Sequence, residues 1–244
     1  MDSAGISVGN VVGSNVANIL LVLGVAALLN PVQVKGKSFR RDAVFLIFST
    51  LILIASMAFG TIGRFLGVLM VGSLIFYIFY SYKTEKEKPN DREKTAPLFT
   101  ALVQTVMGIL LTLFGAKLLV DNSVELARAW GISETVIGLT IVAVGTSLPE
   151  LATSIMSAIK KHNDVAFGNV IGSNIYNSLF ILGMTALFMP VKIPAGMGLD
   201  MGIMAIATAL MIGIAFGCKR YSRMTGAFFL ILYALYIAHL GGVL

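Results

Sequence analysis

The sequence predicts an all-α membrane protein that crosses the bilayer about eight times, and three observations indicate this fold class. Hydrophobic residues make up 57% of the 244 residues and charged residues only 12%, whereas soluble domains carry about a quarter charged residues. The apolar residues are gathered in stretches of about 20 residues, the length that a helix needs to cross the hydrocarbon core. Basic residues are concentrated between these stretches. The apolar content and the single cysteine exclude a disordered chain and a disulfide scaffold.

Eight stretches are long and apolar enough to be membrane spans. They are residues 8–29, 42–60, 64–82, 98–120, 133–158, 165–188, 200–217 and 224–243. The fifth stretch is interrupted by the segment from Gly145 to Glu150. Asp42 and Asp200 stand at the starts of two spans, where a carboxylate can satisfy the free N–H groups of a helix. We therefore predict that these two residues cap their helices.

The segment between the third and fourth spans, residues 83–97, is dense in charge and contains two prolines. It is too polar for lipid and is predicted to be an aqueous linker. If the linker is cytoplasmic, fourteen of the eighteen Lys and Arg residues fall on the cytoplasmic side, as the positive-inside rule expects. We therefore predict a cytoplasmic linker with both termini outside. The net charge of +6 then reflects membrane topology and not nucleic-acid binding.

Residues 8–32 and 167–191 repeat one motif at a constant spacing, with more than half of the positions identical. The identical pairs include Gly9 and Gly168, Asn10 and Asn169, Gly13 and Gly172, Ser14 and Ser173, Asn15 and Asn174, and Asn18 and Asn177. In the predicted topology the first copy runs from outside to inside and the second runs back. The copies are therefore antiparallel, and such inverted repeats are typical of secondary transporters that bind their substrate near the bilayer midplane.

The interrupted span carries the residues best suited to bind a cation. Pro149 has no N–H, so it frees backbone oxygens near Gly145, and such backbone survives at membrane depth only against protein or a water-filled cavity. Glu150 is a carboxylate well inside an apolar span, and Thr146 and Ser147 lie on the same helix face. Carboxylate, hydroxyl and carbonyl oxygens suit Na⁺ or Ca²⁺. The alternative is a kinked packing helix with a protonated Glu150, although intramembrane ionisable residues are usually functional.

The repeated helices each present two side-chain oxygens on one face, because Ser14 and Asn18, like Ser173 and Asn177, are four residues apart. Such residues also hydrogen-bond between membrane helices, and the repeated glycines suit close helix contact. We expect both roles to apply. The other asparagines of the repeat are assigned to helix packing. They are Asn10, Asn15, Asn169 and Asn174.

The segments from Gly138 to Glu150 and from Gly168 to Asn177 resemble the second α-repeat of the sodium/calcium exchanger (cation/calcium antiporter) family. The segment from Gly9 to Asn18 resembles the end of the first α-repeat, and the whole chain is most similar to bacterial, YrbG-like members. The resemblance implies a ten-helix fold of two inverted five-helix repeats. It also implies exchange of Ca²⁺ against Na⁺ or H⁺ by alternating access, without a covalent cofactor.

The same resemblance implies which residues bind the ions. Glu150 would be the carboxylate shared by Ca²⁺ and Na⁺. The other implied ligands are Thr146, Ser147, the main-chain carbonyl of Ala143, Ser173, Asn177, Ser14 and Asn18. Some exchangers carry an acidic residue at the position of Asn177, so the coupling ion, Na⁺ or H⁺, stays open.

Five predicted spans follow the linker and three precede it. The resemblance therefore divides the chain into a partial first repeat (1–82), the linker (83–97) and a complete second repeat (98–244). We expect an incomplete version of the ten-helix fold, lacking the first two spans. With one carboxylate to balance Ca²⁺ in a low-dielectric site, such a chain is expected to transport poorly on its own.

The expected surroundings are a lipid bilayer and inorganic cations, in the plasma (inner) membrane of a prokaryote. No phosphate loop, nucleophile elbow or zinc motif occurs in the sequence, so no enzymatic reaction is predicted. An alternative function remains open, namely a non-transporting membrane fragment or assembly protein whose repeats only pack helices. The sequence leaves the oligomeric state open.

Overall fold

Nearly all of the described chain is helical, because lipid offers no partners to backbone N–H and C=O groups and a helix satisfies them within one segment. The computed structural model describes residues 3–34, 38–84, 97–132, 137–194 and 196–242. The α-helices are α1 (Ser3–Ala17), α2 (Leu23–Leu29), α3 (Ser38–Phe59), α4 (Arg64–Thr84), α5 (Leu98–Ala129), α6 (Ala143–Thr146), α7 (Leu148–Ile159), α8 (Asn163–Tyr176), α9 (Leu182–Phe188), α10 (Gly198–Gly217) and α11 (Arg223–Leu240). Three π-helical turns join some of them: π1 (Asn18–Val22), π2 (Gly138–Val142) and π3 (Asn177–Ile181). Four short strands are β1 (Val32–Gln33), β2 (Thr61–Ile62), β3 (Val191–Lys192) and β4 (Arg220–Tyr221).

The predicted membrane spans are confirmed. Within the described residues, seven helical segments are long and apolar enough to cross a membrane, and a pair bent by 50° raises the number to eight. α3 begins at Ser38 instead of 42, and α5 continues to Ala129 instead of ending at 120. An ion pair of 2.9 Å between Lys117 and Asp121, four residues apart, supports the helix beyond its apolar part. Of the predicted linker, residues 85–96 lie outside the described residues.

The pairing of the four strands shows that the two copies of the repeat run in opposite directions. β1 pairs with β4 and β2 pairs with β3, both antiparallel. β1 follows the span that carries the first copy of the motif, whereas β4 follows the span after the one that carries the second copy. These two points can meet at one face of the membrane only if the copies are inverted. The two strand pairs have equivalent registers. Val32 lies opposite Tyr221 and Ile62 lies opposite Val191, and Val32 is the repeat equivalent of Val191 as Ile62 is of Tyr221.

Tyr221 anchors one of these strand pairs. Its side chain is fully buried, and its hydroxyl donates a hydrogen bond to the main-chain oxygen of Met211 in α10. Burial raises the pKa of the Tyr221 hydroxyl above its usual value. The hydroxyl therefore remains protonated and keeps this hydrogen bond at physiological pH.

Glycines set how closely the two copies pack. A Cβ at Gly226 in α11 would lie 2.6 Å from the main-chain oxygen of Gly24 in α2, and a Cβ at Gly67 in α4 would lie 2.9 Å from that of Gly183 in α9. Gly67 and Gly226, like Gly24 and Gly183, stand at equivalent positions of the two copies. The close contacts are thus two versions of one interface, as small residues allow in membranes.

Asp42 and Asp200 bind tyrosines of neighbouring helices. The Tyr77 hydroxyl donates to Asp42 Oδ1 and the Tyr236 hydroxyl donates to Asp200 Oδ1, each at 3.1 Å. Asp42 lies beyond the first turn of α3, so the prediction that it caps this helix is wrong. Asp200 does lie in the first turn of α10. Both carboxylates join a pair of adjacent helices, α3 with α4 and α10 with α11.

Candidate functional site

The site is built around the bend between α6 and α7. Ser147 stands at the bend with φ −92° and ψ 0°, and its N–H contacts the main-chain oxygens of Ala143 at 3.2 Å and Val144 at 3.0 Å. Pro149 lies at the start of α7, where its missing N–H leaves the Gly145 carbonyl without its usual helical donor. The predicted break is therefore present, and it places polar backbone and side-chain groups together inside the span.

Glu150 projects from the first turn of α7 toward α8. Ser173 of α8 is the polar side chain that faces its carboxylate. The other carboxylate oxygen, Oε2, is buried and has no hydrogen-bond partner in the described part of the chain. A buried carboxylate oxygen without a donor is costly. A bound proton or cation would offset this cost.

α7 and α8 are also held together by a residue outside the predicted ligand set. Asn169 Nδ2 donates to the main-chain oxygen of Glu150 at 3.1 Å and to Ser154 Oγ at 3.0 Å. This contact agrees with the packing role assigned to Asn169. It fixes the backbone from which the Glu150 side chain extends.

α1 approaches the bend through Ser14. The Ser14 hydroxyl lies 2.9 Å from Thr146 Oγ1 and 3.4 Å from the main-chain oxygen of Ala143. Thr146 Oγ1 also lies 3.1 Å from that oxygen of Ala143 and 3.3 Å from Asn10 Oδ1. Three of the predicted ligands therefore converge where α1 crosses α6.

Four asparagines meet one turn further along α1 and α8. Asn18 Nδ2 donates to Asn174 Oδ1 at 3.1 Å, and Asn177 Nδ2 donates to Asn15 Oδ1 at 3.2 Å. The two hydrogen bonds are equivalent in the repeat. Asn18 and Asn177 are also the first residues of π1 and π3, where the wider π turn changes the direction of the side chains.

The two copies differ in how this asparagine cluster is completed. Asn15 Nδ2 donates to Ser178 Oγ at 2.8 Å. The equivalent of Ser178 in the first copy is Ile19, and Asn174 Nδ2 has no partner among the described residues. Asn18 Oδ1 is likewise buried without a donor there. An amide oxygen of this kind is available to a cation.

The polar groups around the bend and along α1 and α8 form one cluster, which we call the polar seam. It contains the predicted residues Ser14, Asn18, Ala143, Thr146, Ser147, Glu150, Ser173 and Asn177, together with Asn15 and Asn174. Ser14 and Asn18 connect its parts along α1, and Ser173 and Asn177 connect them along α8 and π3. Ser147 lies at the bend with a buried hydroxyl that has no partner in the described chain. Thr146 is the exposed member.

The seam is rich in neutral oxygen atoms and poor in charge. Glu150 is its one ionisable member. The described residues contain no group of three or more His, Cys, Asp or Glu that could hold a metal ion. Any cation here would therefore be bound mainly by hydroxyl, amide and carbonyl oxygens, which suits hard cations. Sequence reasoning missed Ser178, which is absent from the first copy. Its only signal is a serine directly after Asn177.

The sequence matches a family model and named relatives along most of its length. The family model described as sodium/calcium exchanger protein matches residues 1–83 and 100–241. Inner membrane protein YrbG of Escherichia coli (strain K12) is 32% identical, with the match covering 91% of this chain and 71% of YrbG. Sodium/calcium exchanger MaX1 of Methanosarcina acetivorans is 31% identical, over 96% of this chain and 80% of MaX1.

A solved structure shares the fold. The sodium-calcium exchanger NCX_Mj, soaked with Na⁺ and Sr²⁺, superimposes with a TM-score of 0.80 at 32% sequence identity, over 97% of this chain and 77% of that chain. Family model, relatives and structure thus match both copies of the repeat. The chain therefore belongs to the sodium/calcium exchanger family of membrane cation antiporters.

Proposed function

We propose that this protein exchanges Ca²⁺ against Na⁺ or H⁺ across the membrane by secondary active antiport, and that the polar seam is its ion site. The observation that carries the proposal is the buried Oε2 of Glu150, which has no partner among the described residues although hydroxyl and amide oxygens surround the bend. The relatives named as sodium/calcium exchangers support the choice of ions.

The charge of the seam explains how two ions would be coupled. One carboxylate is fully balanced by one Na⁺ or one proton. Ca²⁺ bound to the same carboxylate leaves a net positive charge, which neutral oxygens must stabilise because the surroundings are of low dielectric. Since Glu150 cannot balance both ions at once, binding of one displaces the other. That competition is the basis of antiport.

The proposed ligands are the eight predicted residues. Glu150 would supply the charge. The neutral oxygens would come from the side chains of Thr146, Ser147, Ser14, Asn18, Ser173 and Asn177 and from the main chain of Ala143. Asn15 would position Asn177, and Asn174 would position Asn18, through the two equivalent hydrogen bonds between their side-chain amides.

The inverted copies suit alternating access. The seam lies between α1 of the first copy and α6 to α8 of the second. Two related arrangements of inverted copies can open such a site first to one side of the membrane and then to the other. Within this scheme we assign residues 1–82 to the first repeat, 83–97 to a cytoplasmic linker and 98–244 to the second repeat. We place the protein in a prokaryotic plasma membrane with residues 1 and 244 outside.

Substitution of Glu150 tests the site directly. In detergent, Ca²⁺ or Na⁺ should raise the melting temperature of the full chain, because an ion at a hundredfold excess over its Kd stabilises the folded state by about 2–3 kcal/mol. Glu150→Gln should abolish this rise, and Glu125→Gln on exposed α5 should leave it intact. Uptake of ⁴⁵Ca²⁺ into proteoliposomes, driven by a Na⁺ or pH gradient, is the corresponding flux measurement, and uptake by the unmodified chain is expected to be slow because one carboxylate balances Ca²⁺ only in part.

The packing alternative makes the opposite prediction. If the repeats only pack helices, Glu150→Gln should keep or raise stability, because a buried carboxyl group is removed, and cations should have no effect on either protein. Stabilisation by cations that survives in Glu150→Gln would also contradict the proposed site.

A further inference from the structure

An open groove runs between α3 and α4 on the outside of the helix bundle. Its volume is about 450 Å³. Its walls include Val44, Phe45, Phe48, Leu69, Ser73 and Phe76. Val44 is 63% exposed and Phe76 is 60% exposed. The groove therefore faces the hydrocarbon of the bilayer and has the size and apolar walls that an acyl chain would fill.

One end of this groove is cationic. Arg40 and Arg41 lie one turn before the apolar wall of α3, and Lys83 lies two turns beyond Phe76 on the same side of α4. Arg41 is already engaged, since its Nε lies 2.7 Å from Asp42 Oδ1 and its Nη1 donates to Thr84 Oγ1 at 2.9 Å. This ties the two helix ends together.

Among the described residues, two further cations lie at the mouth of the groove. Arg40 is exposed, and Lys83 Nζ lies 4.6 Å from the centre of the Phe79 ring. Long basic side chains at a membrane edge extend their charged ends toward the headgroups. Arg40 and Lys83 are therefore placed where a lipid phosphate would lie if its acyl chain occupied the groove.

The second copy of the repeat has the same groove without the cations. Between α10 and α11 lies a cavity of about 260 Å³. Its walls include Ile203, Ile206, Leu210, Leu232, Leu235 and His239. When α3 and α10 are aligned on Asp42 and Asp200, the positions of Arg40 and Arg41 are occupied by Gly198 and Leu199. When α4 and α11 are aligned on Gly67 and Gly226, the position of Lys83 is occupied by Gly242. The shape of the groove thus follows from the repeat, but its positive mouth is a property of the first copy alone.

We propose that the α3–α4 groove binds an anionic phospholipid, with one acyl chain along the apolar walls and the phosphate between Arg40 and Lys83. Clustered Lys and Arg residues at a membrane face attract anionic headgroups, and guanidinium groups bind phosphate strongly. The bound lipid would come from the leaflet on the side of Thr84, which we assign to the cytoplasm. The α10–α11 groove, which opens on the opposite side, would have no such preference.

Lipid binding to the purified full chain in neutral detergent tests the headgroup contact. Native mass spectrometry should show a phosphatidylglycerol molecule that phosphatidylcholine does not replace. The double variant Arg40→Gln with Lys83→Gln should bind phosphatidylglycerol about fivefold more weakly for each cation removed. The double variant Lys160→Gln with Lys161→Gln loses the same charge away from the groove and should bind like the unmodified protein. Equal binding of both lipids, or equal loss in both double variants, would overturn the proposal.

A groove-filling variant tests the acyl-chain contact. Gly72 also lines the groove, and a Cβ there would meet no atom within 4 Å. Gly72→Leu should therefore fill the groove without disturbing the packing and weaken phosphatidylglycerol binding several-fold. Gly108 on α5 is equally open, and Gly108→Leu serves as the matched control. Unchanged binding in Gly72→Leu would show that the headgroup alone is recognised and would contradict the proposed groove.

Discussion

Two buried serines on the bent span differ in what their hydroxyls contact. Ser154 is fully buried, and its Oγ accepts a hydrogen bond from Asn169. Ser147 is 2% exposed, and its Oγ has no partner among the described residues. An unsatisfied buried hydroxyl costs about 1–3 kcal/mol. We therefore interpret Ser154 as a packing residue and Ser147 as a ligand whose cost is offset when an ion binds.

This difference predicts opposite effects of two similar substitutions. Ser147→Ala should leave the melting temperature without cations unchanged or slightly higher, and should reduce the rise caused by Ca²⁺ or Na⁺. Ser154→Ala should lower stability without cations by about 1 kcal/mol and keep the rise. Thermal unfolding of both variants with and without cation measures the two effects. A normal rise in Ser147→Ala would remove Ser147 from the proposed ligand set.

The residues of the candidate site were predictable from the sequence, but their hydrogen-bond partners were not. Pro149 predicts a helix break, Glu150 supplies a carboxylate beside it, and the repeat indicates the Ser and Asn positions. The side-chain hydrogen bonds of Asn15 and Asn174, however, depend on the position of α1 relative to α8 along their axes. That distance is a property of tertiary packing and has no local sequence signal, which is why these residues were assigned to packing alone.

At the scale of elements, the two glycines whose Cβ positions lie closest to backbone atoms of another helix are predicted to limit stability. A Cβ at Gly226 would lie 2.6 Å from one backbone atom and 2.7 Å from another, whereas a Cβ at Gly67 would lie 2.9 Å from the nearest. Backbone cannot move aside as a flexible side chain can, and overpacking typically costs about 1–3 kcal/mol. Gly226→Ala should therefore destabilise most and Gly67→Ala somewhat less.

Gly72, on the same helix as Gly67, provides the control for this series. Its side-chain position is open, so Gly72→Ala should be neutral or stabilising by up to about 1 kcal/mol through helix propensity. Urea or thermal unfolding in one detergent gives the order of the three variants. Equal stability of Gly67→Ala and Gly72→Ala would show that the α4–α9 contact is looser than the structure indicates.

Element boundaries were harder to predict than the elements themselves. Apolar composition ends where the hydrocarbon ends, but a helix can continue into water when charged residues support it. The ion pair of Lys117 and Asp121 supports α5 beyond its apolar part, and polar residues from Ser38 onward form the first turn of α3 before its apolar part begins. The strands carried no signal at all, because two residues such as Val32–Gln33 are too few to show an alternating pattern.

At the scale of the whole molecule, the strand pairs define two faces of the membrane. β1 and β4 lie on one face, together with Cys218 just before β4 and with the joined ends of α3 and α4 at Arg41 and Thr84. β2 and β3 lie on the other face. The face that we propose to be cytoplasmic is the one with more basic residues.

The single cysteine of the chain allows this sidedness to be measured without first removing others. Cys218 is exposed, and the proposed topology places it on the cytoplasmic side. A membrane-impermeant maleimide should therefore label inside-out vesicles and leave intact spheroplasts unlabelled. In the double variant Cys218→Ser with Lys192→Cys, the thiol moves to the exposed end of β3 on the opposite face, and the labelling pattern should reverse. If Cys218 were labelled in intact spheroplasts, the assigned orientation would be wrong, while the inverted relation of the two copies, which rests on the strand pairs, would remain.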